Sequence, residues 1–119
     1  MKNIVNFVCL ICAQDGVISS SELKRLFDLL TLHKETLDLG ELSQEEFDEL
    51  VVSFFSSTET LEDILSTIPK DKLSLIMWIA KESAEADELD IRENIEYDRA
   101  LKISNISIEE EAKWNSMYS

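Results

Sequence analysis

Glycine and proline are nearly missing from this chain, at two and one in 119 residues. An all-β domain turns tightly many times and draws on both residues, so that class is excluded. Cys9 and Cys12 are the only cysteines, too few for a disulfide scaffold, and His33 is the single histidine. A zinc site built on that C-x-x-C pair would lack its second pair of soft ligands. The deepest shortage is of bases: 11 Lys and Arg face 25 Asp and Glu, a formal net charge of −14 with a pI near 4.3. Nucleic acid and anionic membrane both attract basic surface, so neither is an expected partner. Cations and basic proteins remain. What the chain does have is 45% hydrophobic and 30% charged residues, the balance of a soluble globular protein with one core. A single domain over residues 1–119 is the expectation.

The opening run from Met1 to Ala13 is apolar, with one positive charge ahead of it. It resembles a secretory leader only loosely: Asn6 interrupts the apolar stretch, no small-residue cleavage site follows, and Asp15 comes early. It is also shorter than the ~20 residues that span a bilayer. A first core helix fits better, and the chain is expected to be cytoplasmic and reduced. In such a helix Cys9 and Cys12 stand one turn apart and pack as small apolar side chains. A thioredoxin-like role would require an α/β pattern, which is missing.

Helical periodicity runs through almost everything else. Segment 2–14 is apolar on most sides, as a central helix is. Segment 20–38 carries Leu23, Leu26, Phe27 and Leu30 at i, i+3, i+4, i+7, and Gly40 follows as its stop. Segment 44–56 repeats the stripe with Phe47, Leu50, Val51 and Phe54, and a short segment over 59–67 ends before Pro69. Segment 70–86 shows Leu73, Ile76, Met77 and Ala80 with Trp78 at the core's edge; segments 91–104 and 108–117 complete the chain. Ser19-x-x-Glu22, Ser43-x-x-Glu46, Asp90-x-x-Glu93 and Ser107-x-x-Glu110 have the form of capping boxes. The fold class is therefore all-α, a bundle of about six to seven short helices.

Two acidic junctions break the regularity. The first is Ala13-Gln14-Asp15-Gly16-Val17-Ile18-Ser19-Ser20-Ser21-Glu22-Leu23. Aligned with an EF-hand loop, Asp15, Gly16, Ile18, Ser19 and Glu22 take positions 5, 6, 8, 9 and 12, while Ile11 and Ala13 occupy positions 1 and 3 and offer no carboxylate. A hard cation wants six to eight oxygens, so this loop is half a site at most. The second is Ala86-Asp87-Glu88-Leu89-Asp90-Ile91-Arg92-Glu93, inside a stretch, 82–98, that holds eight acids and one base. Such crowding is relieved by solvent, a base or a bound cation. A pseudo-symmetric fold would let the junctions face each other, with Asp15, Glu22, Asp87, Asp90 and Glu93 as ligands for Ca²⁺ or another divalent cation. The plainer reading is that Asp-Gly is a turn, that Glu22, Asp90 and Glu93 are caps, and that the remaining acids form a solvated face.

The pattern A-x-D-G-x-I-x-x-x-E-L after an apolar helix, followed about seventy residues later by a second acid-rich junction, resembles the TerB-like family of tellurite-resistance proteins. The likeness extends over essentially the whole chain, including the region Ile103-Ser104-Asn105-Ile106-Ser107; at the second junction this chain has Asp87-Glu88 where the family has Asp-Gly. The resemblance implies a compact fold of about seven helices, with Asp15 and Glu22 from one junction and Asp87, Asp90 and Glu93 from the other at a divalent-cation site. It also implies a non-catalytic stress-response module that acts through a partner protein.

Three functional classes follow. The first is that cation-sensing module. The second is an acidic immunity or inhibitor protein, steered by charge onto a basic protein partner without metal. The third, an enzyme, lacks support: no nucleophile elbow, phosphate-cradling glycine loop, zinc-protease motif or carrier Asp-Ser-Leu occurs, and His33 lies in an amphipathic stretch with no partner motif. Met77, Trp78 and Ile79, like Trp114 and Tyr118, have the spacing of core or edge packing.

Overall fold

A computed structural model describes residues 2–13, 18–86 and 91–118, with the side chains of 91–94 excepted. It contains α1 (Lys2–Cys12), α2 (Ser20–Leu32), α3 (Gln44–Phe54), α4 (Leu61–Ser66), α5 (Lys70–Glu85), α6 (Ile91–Ile103), α7 (Ile108–Ala112) and α8 (Trp114–Tyr118). The described residues contain no strand. Together these elements form an all-α bundle of short helices, measuring 37 × 31 × 27 Å. The final segment predicted over 108–117 is broken at Lys113 into α7 and α8.

The most apolar helix is the central one. Ile4, Val5, Phe7, Val8, Cys9, Ile11 and Cys12 of α1 are all buried, and α1 packs against α3, α4, α5 and α6. A helix surrounded on this many sides has no polar stripe to keep wet, which is why its sequence shows none. Around it, Leu26, Leu29 and Leu30 of α2, Phe47 and Val51 of α3, Leu61 and Ile64 of α4, and Leu75 to Ala80 of α5 close one apolar cluster. Tyr97 and Ala100 of α6 and Trp114 of α8 seal its far side. Arg99 on α6 pairs with Glu62 on α4 and with Glu96 on its own helix.

Helix starts follow the sequence closely. Ser19 and Glu22 form a reciprocal capping box at α2. Ser43 and Ser107 accept from the third-residue N–H at α3 and α7, while Thr60 and Asp63 make a second full box at α4 that the sequence reading had not singled out. The Asp90–Glu93 box falls outside the described residues.

The ends differ from expectation at one helix in particular. The helix predicted over 20–38 stops at Leu32, with His33 as its C-cap, and residues 33–38 form hydrogen-bonded turns that keep Leu37 buried. Those turns close at Asp38, two residues before Gly40. Asp38 has φ 58°; its N–H reaches Glu35 O at 3.2 Å and the next N–H, of Leu39, reaches Lys34 O at 2.9 Å. That is a Schellman arrangement, in which a left-handed residue lets the chain close its last carbonyls. Asn105 repeats it after α6, with φ 58° and an Ile106 N–H bond to Leu101 O at 3.0 Å.

Candidate functional site

α2 and α5 run antiparallel. Arg25 Nη2 lies 3.4 Å from Glu82 Oε2, the His33 ring packs on Trp78, and Lys72 Nζ donates to Leu37 O at 3.4 Å, so rising numbers on one element meet falling numbers on the other. The start of α2, just after the first acidic junction, therefore lies at the same end as the finish of α5, just before the second. Of the five carboxylates expected to form a cation site, Glu22 is the one whose side chain is described. Asp15, Asp87 and Asp90 lie outside the described residues, as does the side chain of Glu93.

Glu22 is an unusual carboxylate. It is 5% exposed. Its Oε1 accepts from Ser19 N–H at 2.9 Å, and its own N–H donates to Ser19 Oγ at 3.1 Å. Oε2 is buried and has no hydrogen-bond partner among the described residues. A cap carboxylate is ordinarily half in water, where its second oxygen is solvated. Burying that oxygen without a donor costs the full desolvation of the atom, and charged groups in this position are normally matched by a donor, a base or a metal ion.

The thiol of Cys9 feels the charge of Glu22. Burial, and after it the negative charge of Glu22, push the Cys9 thiol up to about 12; Cys9 and Cys12 are both buried and free of any disulfide. The other two buried polar residues of the described structure are Asn6 on α1 and Ser83 in the last turn of α5, and Asn6 Oδ1 and Ser83 Oγ also lack partners there. Sequence reading noticed Asn6 only as a flaw in an apolar run and passed over Ser83, although a polar residue at a core-facing helical position is the available signal in both cases.

As a hard-cation site, the described atoms are incomplete. Glu22 Oε2 is one oxygen, against the six to eight that Ca²⁺ takes, and no group of three or more His, Cys, Asp or Glu positioned to hold a metal occurs among the described residues. The donor described there, a carboxylate oxygen, suits a hard ion such as Ca²⁺ or Mg²⁺ rather than a soft metal.

His33 sits at the opposite end of α2. Its ring is edge-on to Trp78 at 5.8 Å and to Tyr118 at 6.3 Å, and its Nε2 is buried without a partner among the described residues. No described carboxylate, thiol or hydroxyl is hydrogen-bonded to it in the manner of a catalytic pair. No helix is long and apolar enough to cross a membrane among the described residues. Compared with family models, curated proteins and solved structures, the chain has no significant match in any of the three.

Proposed function

We propose that this protein is a non-catalytic module of the TerB-like type that takes a divalent cation, Ca²⁺ or a similar hard ion, between its two acidic junctions and acts through a partner protein. The observation that carries the reading is Glu22 Oε2, a buried carboxylate oxygen without a donor among the described residues, at the end where α2 starts and α5 finishes. In this reading Asp15 and Glu22 supply one half of the oxygen set and Asp87, Asp90 and Glu93 the other. The bound ion would tie the start of α2 to the α5–α6 connection, so the surface offered to a partner would depend on the cation.

Unfolding of EDTA-stripped protein tests it, with and without millimolar Ca²⁺, Mg²⁺, Mn²⁺ or Zn²⁺. An ion held only by the folded chain at about 100 times its Kd adds about 2.7 kcal/mol, a rise on the order of 10 °C for a domain of this size. The expected result is such a rise for one ion, abolished in Asp15→Asn, Glu22→Gln and Asp87→Asn. A rise reproduced by NaCl at matched ionic strength, or none at all, sinks the cation reading.

A second reading, an acidic inhibitor or immunity protein that covers a basic partner without metal, is favoured by the charge of −14. Tight, cation-independent and salt-sensitive binding to a basic protein would select it.

A further inference from the structure

The longest base-free part of the chain lies outside both acidic junctions. Between Lys34 and Lys70 there are ten acids and no Lys or Arg. α3 stands in the middle of it. Glu45, Asp48 and Glu49 share one exposed side of that helix, at the i, i+3, i+4 spacing that makes helical neighbours. Asp48 accepts a 2.8 Å bond from Gln44 Nε2, and none of the three carboxylates has a cationic partner among the described residues.

This acidic side borders a groove. α3 leans on α1, and α2 leans on α5. α2 and α3 touch through the Phe27 ring, edge-on to Phe47 at 5.3 Å. Beside that contact lies a depression of about 470 Å³, with Leu23, Lys24, Phe27 and Asp28 of α2 on one wall and Gln44 and Asp48 of α3 on the other. It continues over the outer face of α3 into a second, shallower hollow of about 610 Å³ that shares Gln44 and Asp48 and reaches Val52. Val52 is 69% exposed, and Phe55, one turn further, is 55% exposed. The surface thus offers apolar Leu23, Phe27 and Val52, with the Lys24–Asp28 ion pair on the α2 wall and Glu45, Asp48 and Glu49, which have no cationic partner among the described residues, on the α3 side.

We infer that this α2–α3 groove receives a basic amphipathic helix of a partner protein. A trough between two helices is shaped for a third, whose ridges settle into it. α3 is 11 residues long, about 16 Å, the length of three helical turns. Apolar anchors at i, i+3 or i+4 and i+7 would meet Leu23, Phe27 and Val52, and Lys or Arg on the flank of the same helix would face Glu45, Asp48 and Glu49. Charge decides among occupants. A second copy of this chain brings another −14, and nucleic acid or an anionic bilayer is repelled in the same way. The inference rests on the partner half of the proposed function and is independent of its cation half.

The test uses the full chain and a fluorescein-labelled peptide of about 16 residues built from leucine and lysine, with the leucines on one helical face. Its control has the same composition with the leucines spread around the helix. Amide chemical-shift mapping should place the amphipathic peptide on residues 20–28 and 44–55, with an affinity about tenfold above the control. Glu45→Lys with Glu49→Lys should weaken binding by about tenfold, whereas Glu35→Lys with Glu109→Lys, an equal change of charge elsewhere, should weaken it by less than about threefold. Val52→Ser, at an exposed position that the core does not use, should cost about threefold. Equal binding of both peptides, equal loss from both double variants, or shifts that map elsewhere would each overturn the groove. Failure of the peptide beside an ion-specific rise in melting temperature removes the groove and leaves the cation reading standing; groove binding without any such rise selects the metal-free reading.

Discussion

Trp78 Nε1 donates a 2.8 Å hydrogen bond to Asn115 Oδ1, and that bond fastens the last helix to the longest one. Tyr118 OH adds a 2.6 Å contact to Ser74 Oγ one turn earlier on α5, and the Trp78 and Tyr118 rings lie 5.7 Å apart. Beneath them Trp114 is 2% exposed. The C-terminal helix is thereby part of the core wall. Trp114→Ala should cost about 3–5 kcal/mol through the cavity it opens. Trp78→Phe keeps most of the packing and loses the N–H donor, for a net cost nearer 1 kcal/mol. Urea unfolding followed by circular dichroism separates the two, and near-equal losses would show that the hydrogen bond, not ring volume, holds α8.

The helix caps give a graded series. Ser19 and Thr60 belong to reciprocal boxes, while Ser43 and Ser107 accept from Glu46 and Glu110 N–H with no return bond among the described contacts. Replacing an N-cap hydroxyl by Ala costs about 0.5–2 kcal/mol. Ser19→Ala should lie at the upper end of that range, because α2 is 13 residues long and carries core residues Leu26, Leu29 and Leu30. Ser107→Ala should lie at the lower end, since α7 buries no residue. The ordering is checked by chemical denaturation at one pH, and a reversed order would mean that these helices are held by packing alone.

Alkaline pH should weaken the fold in a defined window. Cys9 is raised from 9.0 to about 12 by burial and by the Glu22 charge. From about pH 9 the unfolded chain gives up a proton that the folded chain retains, so the stability this thiol contributes is complete below that pH and is lost as pH rises towards 12. Tyr97 adds a loss of the same sign above its ordinary 10.0, since burial first and Glu111 second hold its phenol protonated. Melting temperature should be level from neutral pH to about 9 and fall beyond it. Cys9→Ala should flatten the first part of the fall. Thiol reagents at pH 8 should react with the native protein only as fast as it opens, and at once in urea.

Most of the fold was legible because a two-way split between buried and wet faces decides it. Leu23, Leu26, Phe27 and Leu30 have one geometric meaning, and so has an apolar run such as Phe7 to Cys12 with no polar stripe. Helix ends were less legible. Gly40 looked like the stop after segment 20–38, yet α2 ends at Leu32 and the turns beyond it close at Asp38, whose left-handed φ Asp and Asn tolerate, with Gly40 left-handed two residues later. The candidate site was legible only as a list of acids. Sequence spacing identified Glu22 as a cap, and only the structure reveals that its second oxygen is buried without a donor among the described residues, since burial depends on how α2 packs. The α2–α3 groove was beyond reach for the same reason: Phe27 and Phe47 each read as core, and nothing local says that they meet by their edges with a trough beside them.

The two left-handed stops yield the sharpest stability prediction. Asp38 and Asn105 both have φ 58°, a region that costs an L-residue about 1 kcal/mol or more and glycine almost nothing. Asp38→Gly and Asn105→Gly should each stabilise the protein by a few tenths to about 1 kcal/mol, the gain being reduced by the extra freedom glycine brings to the unfolded chain. Asn105→Ala should destabilise, because alanine has the Cβ penalty without the short polar side chain that offsets it. Gly40 supplies the control. Its φ is +69° and, its chain neighbours aside, no described atom lies within 4 Å of where a Cβ would stand, so any cost of Gly40→Ala is conformational and not steric, on the order of 1 kcal/mol. Differential scanning calorimetry of the four variants should therefore give two rises and two falls in melting temperature. A fall in Asn105→Gly would mean that its side chain makes a stabilising contact at the α6 terminus larger than the backbone penalty, and that this stop is chosen for asparagine itself.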